Sequence, residues 1–130
     1  MSAPTIVTER LPDGRSRAAL VAGRRLEDLL VDPPAHERAM VPEAVQAGVI
    51  DRLVPKMSAA FVRLADGRTG FLREARGVRE GERLALQIIS HPEPGKASPV
   101  TRRLLFKTRT AIHTPDAPGV NISRRIRDEA

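Results

Sequence analysis

Short apolar stretches separated by turn-forming residues run along most of this chain. Residues 17–21 and 26–31 are rich in Ala, Leu and Val, and they flank a four-residue connection that contains Gly23. Two β-prone stretches around such a connection predict an antiparallel hairpin. Pro33 and Pro34 follow directly, and consecutive prolines cannot donate ladder hydrogen bonds. The pattern therefore predicts that the hairpin ends there and that a boundary separates it from the next segment.

Five further stretches with strand character follow the two prolines. They lie at residues 44–50, 58–64, 68–72, 84–90 and 100–104. Glycine- or proline-rich connections separate them at residues 65–67, 77–82 and 91–95. Five short strands in this length predict a small barrel of the OB type. Residues 105–113 have another strand pattern, and the chain as a whole is predicted to be mostly β.

The composition restricts what the core can contain. Aromatic residues make up 2% of the chain and are Phe61, Phe71 and Phe106, and there is no cysteine. A core must therefore be built from Leu, Val, Ile and Ala, and disulfides and thiolate metal sites are excluded. The sequence offers no motif for nucleotide binding and no constellation for acid–base or nucleophilic catalysis, so no catalytic residue and no metal ligand are predicted.

Positive charge is concentrated in the last third of the chain. Up to Gly95 there are 14 basic and 13 acidic residues, whereas from Lys96 to Arg127 there are 8 basic residues against Asp116 alone. A basic segment of this kind suits a polyanion, because each neutralised phosphate releases counterions. No stretch approaches the roughly 20 apolar residues of a membrane span, and the first residues lack a signal-peptide pattern. A cytoplasmic location without membrane association is expected.

Phe61 and Phe71 have mirror-like spacing about the turn at residues 65–67. Residues facing each other across a hairpin can act together, and two aromatic rings on an OB face can stack nucleic-acid bases. The same two side chains would equally serve as core in a barrel this poor in aromatic residues. The residues alone leave both interpretations open.

Two blocks of sequence resemble the ribonuclease E/G family. Residues 57–62 (MSAAFV) with 69–72 (TGFL) are similar to its "GMxAAFVDxG…xGFL" signature, with Arg63 in place of the aspartate. Residues 94–97 (PGKA) with Thr101, and later 118–126 (PGVNISRRI), are similar to "GxKGxxLTT…PGxGxSRRI". The blocks keep the family's order and approximate spacing, so the resemblance covers essentially the whole chain.

The resemblance implies an OB-fold of the ribosomal-protein RNA-binding type, inserted in a partial RNase H-like scaffold. On this basis residues 1–40 would be the first part of the scaffold, 41–103 the inserted OB-fold, and 104–130 the return to the scaffold. The family's catalytic subdomain, which holds magnesium through acidic residues, lies beyond the SRRI block. The expectation is therefore that the chain is the amino-terminal part of an endoribonuclease and binds RNA without cutting it.

The resemblance also implies particular RNA-binding residues. Phe61 and Phe71 match the family's RNA-contacting positions, and Lys96 matches its RNA-binding lysine. Arg124 and Arg125 are candidates for contacts with backbone phosphates, since guanidinium groups suit them. From the residues alone, Lys96 could also be a solvated loop lysine, and the arginines a solvated terminus.

The predicted partner is single-stranded RNA, and no cofactor is predicted for this chain, although magnesium is expected for the complete family enzyme. A non-catalytic protein-interaction or regulatory module derived from the same family is the alternative. Unpaired edges of an incomplete scaffold would also favour homo-oligomerisation.

Overall fold

The computed structural model describes residues 3–120 and 122 of the 130-residue chain. The chain divides into two compact units, Met1–Val41 and Pro42–Ala130. Each unit is built on its own β-structure, and helix is limited to two short 3₁₀ turns in the described residues, Ala35–Glu37 in the first unit and Pro55–Met57 in the second.

The first unit is an antiparallel sheet of three strands in sequential order, β1 (Thr5–Arg10), β2 (Ser16–Ala22) and β3 (Arg25–Val31). The predicted hairpin is confirmed as β2 and β3, and β1 adds an edge that the sequence pattern did not predict. Several large apolar side chains of β1 and β3 are exposed, namely Ile6, Val7, Leu26, Leu29, Leu30 and Val31. A three-stranded sheet alone does not show an RNase H-like scaffold, so that assignment stays a prediction.

The second unit contains a closed barrel of five strands. These are β4 (Val45–Val54), β5 (Ala59–Leu64), β6 (Thr69–Leu72), β7 (Arg83–Ile88) and β8 (Ser98–Thr101). They follow one another around the barrel in the order β4-β5-β6-β8-β7, with β6 and β8 parallel and the other pairs antiparallel. A closed five-stranded barrel is consistent with an OB-fold, as predicted.

The interior of the barrel is filled by aliphatic side chains, as the composition predicts. The largest fully buried side chains are Ile50, Val62, Leu72, Leu86, Ile88 and Val100. Gly48 faces this core, and a Cβ atom there would lie 2.7 Å from both Leu86 Cδ1 and Val62 Cγ1. The strands thus approach so closely that β4 has no room for a side chain at this point.

The barrel's last strand begins and ends earlier than predicted. β8 is Ser98–Thr101 rather than residues 100–104, because the Thr101 side chain accepts a hydrogen bond from the Arg103 backbone at 3.1 Å and the chain then bends away. The expected strand at 105–113 is also reduced, to a hairpin of two short strands, β9 (Phe106–Lys107) and β10 (Ile112–His113).

The chain enters and leaves the barrel at one buried side chain, that of Gln87. Its Nε2 donates to the backbone carbonyls of Glu43, at 3.1 Å, and Leu105, at 2.9 Å. Its Oε1 accepts from the Leu105 backbone N–H at 2.9 Å. Because Glu43 precedes β4 and Leu105 follows β8, the two ends of the barrel segment are held side by side.

Replacing Gln87 by leucine is expected to destabilise the barrel by about 2–3 kcal/mol. The apolar side chain would leave the carbonyl of Glu43 and both backbone groups of Leu105 without these bonds. Because the bonds are only part-buried, water replaces some of them, and the total loss is closer to that of one fully buried unsatisfied group, roughly 1–3 kcal/mol. Urea unfolding followed by circular dichroism measures the change. Glu74→Leu, at an exposed position of the same unit, serves as the control, and an equal loss in both variants would contradict this role for Gln87.

Candidate nucleic-acid interface

Along the barrel strands, side chains that face the core alternate with polar and aromatic side chains that face outward. Along β5, Ala60, Val62 and Leu64 are buried, whereas Phe61 is half-buried and Arg63 is exposed. Because successive side chains of a strand point to opposite faces, Phe61 and Arg63 belong to the outer face. The residues paired with them on neighbouring strands share this face.

Phe61 and Phe71 are direct partners across the β5–β6 hairpin. Their ring centroids are 5.3 Å apart and the ring planes are inclined by 60°, an edge-to-face arrangement. Both rings are half-buried, so each keeps part of its surface open to solvent. The predicted cross-strand pairing is confirmed, and the structure places both rings on the outside of the barrel rather than in its aliphatic core.

Arg52 covers one side of this aromatic pair. It is the partner of Phe61 on β4, and its guanidinium carbon lies 4.7 Å from the centroid of the Phe61 ring. An arginine over a ring face in this range makes a cation–π interaction. Sequence reasoning missed Arg52, because β4 was expected to end at Ile50 and a shift of register between Ile50 and Arg52 lets the strand continue.

Pro99 of β8 extends the same line of residues on the other side. It is the partner of Phe71 in the parallel β6–β8 pair and is half-buried. We call Arg52, Phe61, Phe71 and Pro99 the aromatic row. It crosses four adjacent strands and offers a ring surface bordered by a cation, an arrangement suited to stacking planar bases.

Lys96 lies in the connection between β7 and β8, next to the strand that borders Phe71. Its backbone N–H donates to the Glu93 carbonyl at 3.0 Å, which closes a tight turn, and its ammonium group pairs with the Glu93 carboxylate. The lysine side chain is 71% exposed despite this ion pair. Among the described residues no cation–ring contact joins Lys96 to Phe61 or Phe71, so the RNA-binding role of Lys96 stays a prediction.

The other predicted phosphate contacts cannot be placed. Arg124 and Arg125 lie outside the residues that the structure describes, and their role stays a prediction.

Within the described residues, no three His, Asp or Glu side chains are grouped as a metal site requires, so magnesium is assigned to no residue here. None of the described helical segments is long and apolar enough to cross a membrane.

Comparison with known proteins gives two related sequences with the same name. Ribonuclease E of Escherichia coli (strain K12) is 32% identical over 131 residues, which cover 85% of this chain and 12% of that protein. Ribonuclease E of Nostoc sp. (strain PCC 7120 / SAG 25.82 / UTEX 2576) is 26% identical over 129 residues, which cover 87% of this chain and 18% of that protein. No family model matches the chain.

The chain thus spans less than a fifth of the length of these two curated relatives, while they match most of the chain. The motif blocks read from the sequence, the closed five-stranded barrel and the similarity to two proteins named ribonuclease E agree with one another. The resemblance to the ribonuclease E/G family is therefore confirmed, and the chain is ribonuclease E-like over about 85% of its length.

Proposed function

We propose that the outer face of the barrel binds single-stranded RNA and that bases stack on the aromatic row. The pair of Phe61 and Phe71 is the observation that carries this proposal. Two exposed ring surfaces held 5.3 Å apart are costly to leave in water and are suited to planar ligands. Base–aromatic stacking contributes roughly 1–3 kcal/mol per base and tolerates any base, because every base has a π face.

RNA as the partner is supported by the relatives and by the charge of the chain. Both curated relatives are named ribonuclease E, a name that specifies RNA as the substrate of those proteins. The net charge of +6 favours any polyanion, Arg52 places a cation over the Phe61 ring, and Lys96 adds an exposed cation in the β7–β8 connection. Shape and stacking rather than base-edge hydrogen bonds would then determine what binds.

The proposal assigns binding to this chain and no catalytic residue. Magnesium-dependent cleavage is what the family resemblance implies for a complete enzyme, and the proposal assigns it to no residue of this chain. The domain division at residues 40 and 103, a cytoplasmic location and homo-oligomerisation through exposed scaffold edges stay predictions. We accordingly propose that this chain acts in RNA processing as an RNA-binding segment.

Replacing either ring of the aromatic pair is expected to weaken RNA binding. Phe61→Ala or Phe71→Ala should raise the Kd for a labelled single-stranded oligouridylate about 5- to 150-fold, the equivalent of roughly 1–3 kcal/mol of stacking. Fluorescence anisotropy measures the Kd, and circular dichroism checks that each variant is folded. Phe61→Leu, which preserves most of the volume, should weaken binding in the same direction.

Phe106 provides the matched control for these substitutions. It is the third phenylalanine, is half-buried, and stacks on His113 at a centroid distance of 6.2 Å, outside the aromatic row. Phe106→Ala should leave the Kd within about twofold of the unsubstituted protein, since no base would stack there. Equal losses from all three positions would refute the aromatic row as the site. Binding no tighter than millimolar by the unsubstituted chain would favour the protein-interaction alternative.

The Lys96–Glu93 ion pair predicts opposite effects of two neutral substitutions. Glu93→Gln should tighten RNA binding about two- to fivefold, because it releases the ammonium group from an exposed ion pair worth at most about 1 kcal/mol. Lys96→Gln should weaken binding by removing a phosphate partner. Both are measured by the same anisotropy titration at about 0.1 M salt.

Glu74→Gln is the control for the change in net charge. Glu74 is likewise exposed and pairs with Arg103 at 3.5 Å, and it lies in the connection after β6 rather than in the turn that carries Lys96. If Glu93→Gln tightened binding no more than Glu74→Gln does, the lysine would have no local role and only the overall charge of the protein would matter.

A further inference from the structure

A second line of residues crosses the outer face one step along the strands from the aromatic row. The strand registers pair Arg83 of β7 with Val49 of β4, Val49 with Arg63 of β5, and Arg63 with Thr69 of β6. Arg63, Thr69 and Arg83 are exposed and Val49 is half-buried. We call these four residues the basic row, because its two charged members are both arginines.

The basic row runs alongside the aromatic row at a fixed separation. Arg63 follows Phe61 by two residues on β5, and Thr69 precedes Phe71 by two residues on β6. Two residues along a strand correspond to about 7 Å, with both side chains on the same face. This separation is comparable with the distance between a base and the phosphates of its own nucleotide, so one strand of RNA could contact both rows.

Neither arginine of the basic row is neutralised by a neighbour. Within the described part of the chain, no ion pair or side-chain hydrogen bond involves Arg63 or Arg83. The nearby carboxylate of Asp66 faces Arg68, at 3.9 Å, and that of Glu82 accepts the Arg79 backbone N–H at 2.9 Å. Two unpaired guanidinium groups on one exposed line form a local positive potential that attracts anions.

We propose that Arg83 and Arg63 bind backbone phosphates of the RNA strand whose bases stack on the aromatic row. This inference rests on the proposed function and adds the location of the sugar–phosphate backbone. Arg63 stands where the resembled family motif has an aspartate, so the row is a property of this chain and not of the motif. A carboxylate there would repel the phosphate that a guanidinium binds.

The salt dependence of RNA binding tests the basic row. Each phosphate contact to single-stranded nucleic acid contributes about 0.7 to the slope of log K against log salt. Arg63→Gln combined with Arg83→Gln should therefore reduce the slope by about 1.4 and weaken binding of oligouridylate about 10- to 30-fold near 0.1 M salt. Phe61→Leu should weaken binding without changing the slope, because stacking releases no counterions.

Arg10→Gln combined with Arg24→Gln is the matched control, since it removes the same charge from exposed positions of the first unit. The inference is supported if only the Arg63/Arg83 double variant reduces the slope. It is overturned, with the proposed function intact, if both double variants give the same slope and affinity while the unsubstituted protein binds. If the unsubstituted protein does not bind oligouridylate, the proposed function fails and the basic row fails with it.

Discussion

The close packing of the barrel strands determines which side chains face the core and which lie on the surface. Strands β4 and β5 approach so closely that a Cβ on Gly48 would lie 2.7 Å from Val62, and the remaining space is occupied by Ile, Leu and Val side chains. The inward positions of β5 and β6 are taken by glycine and aliphatic residues. Phe61 and Phe71 alternate with these residues and therefore lie outside, where they contact each other edge to face and still expose ring surface.

Position on the outer face then follows from the pairing of the strands. Alternation along β5 puts Phe61 and Arg63 on the same side, and the registers line up partners for each of them on the neighbouring strands. A row of rings and a row of cations result without any dedicated loop or cavity. Rigid strands hold such rows at a fixed separation, which lowers the entropy lost when an extended ligand binds.

Two local devices keep this arrangement in place. The register shift between Ile50 and Arg52 prolongs β4 and brings a guanidinium over the Phe61 ring. The buried amide of Gln87 ties the chain entering the barrel to the chain leaving it, so the barrel can be a unit within a longer chain. Arg52 belongs to the aromatic row itself. Gln87 lies outside both rows and supports them by stabilising the barrel.

The strand content, the barrel class and the facing pair of phenylalanines could all be predicted from the amino-acid sequence. Short β-prone stretches, glycine and proline positions, and mirror spacing about a turn are local signals, and they need no knowledge of distant contacts. The family resemblance was also readable, because its motif blocks are contiguous in sequence. The limits of β8 and the division of residues 105–113 were not, since they depend on a hydrogen bond from the Arg103 backbone to Thr101 and on the turn that Thr108 closes with Ala111.

The cations near the two phenylalanine rings could be identified only from the pairing of the strands. Arg52 pairs with Phe61 because of a register shift that no local sequence pattern predicts. Arg83 and Arg63 are aligned because both pair with Val49, since β4 lies between β5 and β7. Arg52 is 9 positions from Phe61 in the sequence, Arg63 is 14 positions from Val49, and Arg83 is 34 positions from Val49. Their proximity arises from closing the sheet into a barrel, since hydrogen-bonded strand order, and not distance along the chain, sets which side chains become neighbours.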